Sequence, residues 1–254
     1  MFAKAPIGRQ QHAANQRLER HCHDSAFATV VLSGSYLEAG DEGRRAIEAG
    51  DVLIHRAYES HLDCFSRRGA HVLILPIATA VTLPVLGKVT DPDRLARTAQ
   101  RSPQDAWSAL LDDLRACDRR HQEWPDTLAE QLRCGSTLSL RQWAQDIGLR
   151  PETVSRGFQL AYGSSPKAFR ASARARAALA HICHSRLPFA DIAVTLGFAD
   201  QAHMSRAVTA LTGRGYLVPG GPWRSRWRQT QSVAERRSCR TVSTGFKTVG
   251  VRPI

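Results

Sequence analysis

The sequence predicts an α+β chain, with an N-terminal antiparallel β-barrel followed by an all-α domain of two helix-turn-helix units. Three observations carry this. Between residues 27 and 76, short β-branched runs alternate with turn signals about every 8–12 residues. From Thr127 to Leu211 the apolar spacing is helical throughout. Finally, SLRQWAQDIGLRPETVSRGFQLAYG at 139–163 is echoed by PFADIAVTLGFADQAHMSRAVTALTG at 188–213, a self-match that marks a repeated structural unit.

The expected strands run in order. FATVVL is stopped by Ser33-Gly34. SYLEA, RAIEA and DVLIH follow, separated by GDEG and Ala49-Gly50. HLDCF and HVLILPI close the set, separated by SRRG. Several short strands of this kind make a sandwich or small barrel, assigned to residues 1–84.

After Pro84 the texture changes. In SPQDAWSALLDDLRACDRR, Ser102 and Pro103 are a helix start signal, and Ala106, Leu110, Leu111, Leu114 and Cys117 recur at helical spacing. This predicts one amphipathic helix of at most about five turns within a helical linker, 85–125. It either covers the barrel or pairs with a second copy. The helical domain is assigned to 126–222. Beyond Gly213 the period decays, and 223–254 is expected to be a disordered basic tail.

Charge divides the chain in the same place. Its net charge is +12, yet residues 1–125 carry 16 basic and 16 acidic side chains. The excess lies wholly in 126–254, with 19 against 7, as expected if the second half faces a polyanion. The 43% hydrophobic content suffices for a core. There is no apolar run of the ~18 residues that a membrane span needs and no signal-peptide pattern. The six scattered cysteines form no disulfide framework, so a cytoplasmic protein with reduced thiols is expected. No nucleotide loop, paired-carboxylate arrangement or nucleophile elbow is present, and the chain is not expected to be an enzyme.

The two copies explain each other. Ala144 and Ala193 are small where a second helix crosses the first, and Gly148 and Gly197 suit the turn. Leu149 and Phe198 plug the angle. Ser139 with Gln142 fits a capping box, and Pro151 suits the first turn of a second helix. Each second helix then leaves a compact face of groups that read base edges: Glu152, Thr153, Ser155 and Arg156 in one copy, Gln201, Ala202, His203 and Arg206 in the other. The alanine-rich stretch 167–186 between them is strongly helical. It would hold the units for two grooves ~34–36 Å apart. Lys167, Arg170, Arg174, Arg176 and Arg186 are candidates for phosphate contacts.

On these residues the resemblance becomes specific. A-x-x-x-G-L-x-P-x-x-V-S-R-x-F at 144–158, D-I-A-x-x-L-G-F at 191–198 and D-Q-x-x-x-S-R at 200–206 resemble the DNA-binding region of the AraC/XylS family of bacterial transcription regulators, over about 127–215. The resemblance implies two helix-turn-helix units on successive major-groove segments of double-stranded DNA. An effector-binding N-terminal half and RNA polymerase as a further partner are expected with it; homodimer pairing is expected through the amphipathic helix, and no membrane partner is expected, because no apolar run is long enough. The sequence departs from the family pattern in several places. Gly157 stands where a leucine-like residue is usual, Val208 replaces a phenylalanine, and Arg150 and Ala199 replace a serine cap. RGYLVPGGPWRSRW stands where T-P-x-x-W/Y-R is expected, through an insertion or a foreign ending.

In the first half, His21-Cys22-His23 and His61 resemble the histidine positions of the cupin barrel, but the Glu expected after His23 is missing. The fold expected is thus a cupin-like antiparallel barrel. Its effector pocket is assigned to His21, His23, Tyr36, His55 and His61. The resemblance implies an organic effector and no cofactor. His21, His23 and His61 are the candidates should a metal bind. The leading expectation is a sequence-specific DNA-binding regulator controlled by a small molecule. The alternative is a metal-dependent cupin enzyme with a basic nucleic-acid-binding region.

Overall fold

The computed structural model describes residues 7–77, 83–135 and 139–213. The tail assigned to 223–254 lies outside the described residues. Eight strands among those described form one antiparallel sheet: β1 (Gly8–His12), β2 (Arg17–Cys22), β3 (Phe27–Gly40), β4 (Gly43–Glu48), β5 (Asp51–His55), β6 (Ser60–Pro76), β7 (Leu86–Lys88) and β8 (Arg115–Ala116). The order is β1-β6-β3-β5-β7-β8, with β2 also on β6 and β4 also on β3.

The two long strands organise the barrel. β3 pairs with β6 from Phe27↔Pro76 to Glu38↔Asp63. Its first half also holds β5 and its second half β4. The turns expected at Ser33-Gly34 and SRRG are corrected here: both strands run through them, with register shifts between Val31 and Ser33 and between Gly34 and Tyr36. Gly34 has φ +80, and a Cβ there would lie 2.1 Å from the Gly69 carbonyl oxygen. Two glycines thus let the strands cross closely at a bulge, which bends the ribbon. β1 and β2 precede the first expected strand. GRQQH and RLERHC alternate correctly, but their inward positions are largely polar, so they lack the aliphatic signature.

The two faces of β3 serve different layers. Phe27, Val31 and Tyr36 point inward with Ile47, Phe65, Val72 and Ile74. Ala28 and Val30 point outward, against α1 (Pro92–Arg101) and α2 (Pro103–Asp113) through Leu95, Ala96, Ala106, Trp107 and Leu110. The apolar side of α2 therefore covers the barrel. The single helix expected through Cys117 is also corrected. α2 ends at Asp113, Leu114 is extended, Arg115–Ala116 pairs with β7, and the Cys117 N–H donates to Leu86 O at 3.0 Å.

The helical half contains α3 (Trp124–Arg133), α4 (Leu140–Asp146), α5 (Pro151–Tyr162), α6 (Pro166–His184), α7 (Phe189–Thr195) and α8 (Gln201–Thr212). The internal repeat is a repeat of geometry. Leu149 N–H donates to Ala144 O at 2.8 Å, and Phe198 N–H to Ala193 O at 2.9 Å. Ala144, Ala193, Val154, Met204, Phe158 and Val208 are all fully buried. The capping box at Ser139 is only half formed: Ser139 Oγ accepts from Gln142 N–H, but the Gln142 side chain donates to Asp146 instead. The cap of α8 is Asp200, which accepts from His203 N–H at 2.6 Å. The extra residue of the second copy is therefore Ala199, which explains why that position lacks a serine.

Gly157 has a packing reason. A Cβ there would lie 2.5 Å from the Trp124 ring, and Trp124 packs against the core of the first unit, near Trp143. Gly157→Ala is expected to destabilise the fold by up to about 2 kcal/mol, overpacking outweighing the gain in helix propensity. In a Trp124→Ala background the same change should instead stabilise by about 1 kcal/mol. Urea unfolding of the four proteins checks this reversal of sign.

Candidate nucleic-acid interface and barrel pocket

The eight residues expected to face base edges lie on helices α5 and α8. Glu152, Thr153 and Arg156 are exposed on α5, as are Ala202, His203 and Arg206 on α8, whereas Ser155 and Gln201 are half-buried. The described part of the barrel leaves both faces uncovered. The unit containing α5 packs on the start of α6 through Phe169, and that containing α8 packs on its far end through Ala178 and Leu179. At about 1.5 Å per residue, the 19 residues of α6 span about 28 Å, comparable with one turn of B-DNA. His203 also supports the turn before its helix. Its ring meets Phe198 edge-on at 5.2 Å, and Nδ1 accepts from Ala199 N–H at 3.4 Å.

Two of the five expected phosphate contacts are engaged elsewhere. Arg174 donates to Gly197 O at 2.9 Å and lies over the Phe198 ring at 5.6 Å. It thereby ties the second turn to α6. Arg176 is mostly buried and pairs with Asp41 at 2.7 Å. Lys167 and Arg186 are exposed at the two ends of α6, and Arg170 is half-buried.

Asp41 stands where barrel and helices meet. Its side chain is 2% exposed. Oδ2 accepts from Ser60 N–H at 2.6 Å and from Arg176, while Oδ1 holds Arg20. Arg20 also donates to the carbonyls of Ala39 and Tyr162, each at 3.1 Å. A second junction joins Arg44 of β4 to both oxygens of Asp126 at 2.9 Å, with the Tyr162 hydroxyl donating to Asp126 at 2.8 Å. Barrel side chains also enter both helical cores: Ala39 and Leu62 join the first, and Tyr58 joins the second.

The pocket assignment gathers at one cavity. His21, His23, Tyr36, His55 and His61 all line a space of about 80 Å³ inside the barrel. His21 faces His61 in the β2–β6 register, with ring centroids 4.3 Å apart, and His55 lies 4.5 Å from His61. The sequence reading missed Glu38, Asp63, Phe27 and Phe65, which line the same cavity. Strand periodicity could have found them, because Glu38 is two residues after Tyr36, and Asp63 and Phe65 are two and four after His61. Carboxyl groups therefore reach the histidines from β3 and β6, not from the segment after His23.

Burial governs the chemistry here. Desolvation, with neighbouring His23 and His21, pushes His55 down to about 3. His61 is held well below the usual imidazole range, first by burial and then by His55. Glu38 is raised well above the carboxylate range by burial and by Asp63, and burial pushes Asp63 up to about 7. A carboxyl raised on folding stabilises at low pH, and that contribution is lost as pH rises through the folded value. Asp63→Asn should therefore gain stability relative to the parent between pH ~4 and ~7. The opposite contributions of His55 and His61 are common to both proteins. Urea midpoints measured across that range check it.

His21, His23 and His61 each offer a ring nitrogen, all within 4.8 Å of one another. His21 Nδ1 donates to Glu19 O at 2.7 Å, which leaves Nε2 as an acceptor. Zinc–nitrogen bonds of about 2.0–2.1 Å place tetrahedral ligands about 3.4 Å apart. The widest pair of rings would have to close before all three could hold one ion.

Residues 143–215 match the family described as helix-turn-helix domain. No curated protein matches the chain. Among solved structures, ToxT from Vibrio cholerae with an unsaturated fatty acid bound is 10% identical, covering 84% of this chain and 95% of its own, with a TM-score of 0.35. The C-terminal domain of AraT, a response regulator from Geobacillus stearothermophilus, is 20% identical over 44% of this chain and 93% of its own, with a TM-score of 0.33. The Schizosaccharomyces pombe Cnp3 cupin domain is 11% identical over 29% of this chain and 58% of its own, with a TM-score of 0.25.

Proposed function

We propose that this chain, whose residues 143–215 form a helix-turn-helix domain of the AraC type, is a sequence-specific DNA-binding transcription regulator, and that a small molecule in the barrel controls it. The observation that carries the reading is the duplicated turn geometry, which exposes two short polar helix faces at opposite ends of α6. In this reading Arg156 and Arg206 bond guanine edges, Gln201 bonds adenine, and Thr153 and Ala202 meet thymine methyls. Glu152, Ser155 and His203 complete the two faces. Lys167 and Arg186, with Arg170, neutralise phosphates and set register.

Control is read through contiguous structure. His21 follows Arg20 on β2, and His61 follows Ser60 on β6. Arg20 and Ser60 both bind Asp41, which holds Arg176 of α6. A ligand that shifts the two histidines therefore acts one residue from the groups that dock the helices. Coupling of about 1–3 kcal/mol is enough for regulation. Homodimer pairing and contact with RNA polymerase belong to the same reading. Because the apolar side of α2 is used against the barrel, pairing would use another surface.

Hydroxyl-radical footprinting on a fragment retained from genomic DNA tests the proposal. Two protected patches on one face of the duplex, centred ~10–10.5 bp apart, are expected. Even protection along the fragment would contradict it.

A further inference from the structure

The polar walls of the barrel cavity are incompletely hydrogen-bonded. Glu38 Oε2, Asp63 Oδ1 and His61 Nδ1 are all buried and have no hydrogen-bond partner. The three side chains are 7%, 9% and 6% exposed, and all line the same cavity. Leaving one such atom unmade costs roughly 1–3 kcal/mol. Three around one space are accounted for if a ligand supplies their partners.

The lining also restricts the ligand's charge. Five imidazoles and two carboxyl groups line the cavity, with no lysine or arginine among the lining residues. Arg45 approaches Glu38 but lines a neighbouring cleft. An anionic ligand would meet two carboxyl groups with no cation to neutralise it. A cation seated between the two buried carboxyl groups would hold them ionised, and ionised carboxylates only accept; His21 Nε2 also accepts, because Nδ1 is committed to Glu19 O. The missing partner is thus a donor, best a charged one. The walls suit such a group: Phe27, Tyr36 and Phe65 line the cavity, and aromatic faces attract cations. A cavity of about 80 Å³ limits the ligand to a handful of non-hydrogen atoms.

We propose that the barrel cavity takes a small organic cation bearing N–H donors, an alkylammonium or amidinium group, seated between Glu38 and Asp63. The inference rests on reading the barrel as the effector site, though not on the DNA sequence that the helices select.

The test uses the full chain, dialysed against EDTA, with propylammonium, acetamidinium, propionate, 1-propanol and Zn²⁺ as separate probes in calorimetry and thermal unfolding. Propylammonium or acetamidinium should bind and raise Tm, while propionate and propanol leave it unchanged. Glu38→Gln and Asp63→Asn should each weaken binding of the cation at least tenfold. The inference is overturned if propionate or propanol binds equally well, if only Zn²⁺ binds, if no probe binds, or if both variants bind like the parent. DNA selectivity is measured on the same samples. If it persists without cation binding, the ligand class is wrong and the regulator reading stands. Its absence removes the regulator reading whatever the probes do.

Discussion

Replacing Asp41 with alanine is expected to destabilise the protein by roughly 3–5 kcal/mol, the range for breaking one partner out of a buried ion pair. The side chain is 2% exposed, and its loss strands Arg20 and Arg176, which are 11% and 16% exposed. It also leaves the Ser60 N–H without its acceptor. Asp41→Asn keeps the shape and can still accept from Ser60, so it should fall between parent and alanine. Urea unfolding supplies the energies. Limited proteolysis should show earlier cleavage between barrel and helices, because the lost contacts join those two halves. A loss under about 1 kcal/mol would mean that the arginines recover solvation and that the junction rests on apolar packing alone.

Arg156→Ala and Arg206→Ala are each expected to weaken binding to selected DNA by about 1–3 kcal/mol and to relax preference in one block of the site only. Lys167→Ala should instead weaken all sequences alike and lower the salt slope by about 1. Arg174 marks where sequence and structure part. Read as a phosphate contact, it would behave like Lys167. Bonded to Gly197 O and stacked on Phe198, it should act through the fold of the second unit and blur one block, not both. Competition binding against single-base variants of the selected site separates these outcomes. Equal loss on all sequences after Arg206→Ala would place Arg206 on the phosphate backbone.

The helical half was legible because its constraints are local and occur twice. A small residue at the crossing, glycine in the turn and a plug after it must sit at fixed offsets, so Ala144, Gly148 and Leu149 identified Ala193, Gly197 and Phe198. The barrel's outline was legible from aliphatic runs, but its first two strands were not, since β1 and β2 turn polar groups inward. Gly157 could be flagged but not explained, because Trp124 lies 33 positions away in the sequence. Asp41 is the clearest omission. Its position in a GDEG turn suggests a solvated hairpin tip, and nothing local reveals that α6 delivers Arg176 to it. The pocket histidines were found by residue type. Glu38 and Asp63 were missed because that assignment did not apply the two-residue period along each strand.

In the proposed mode of action, two helix-turn-helix units read two blocks of DNA from the ends of α6. Sequencing the DNA that the purified full chain retains from a genomic fragment pool, at physiological salt and against excess random DNA, tests it most directly. A recurrent motif of two short blocks with centres ~10–10.5 bp apart is expected. Salt-sensitive retention of DNA with no motif would contradict it and would reduce the basic half to an electrostatic surface.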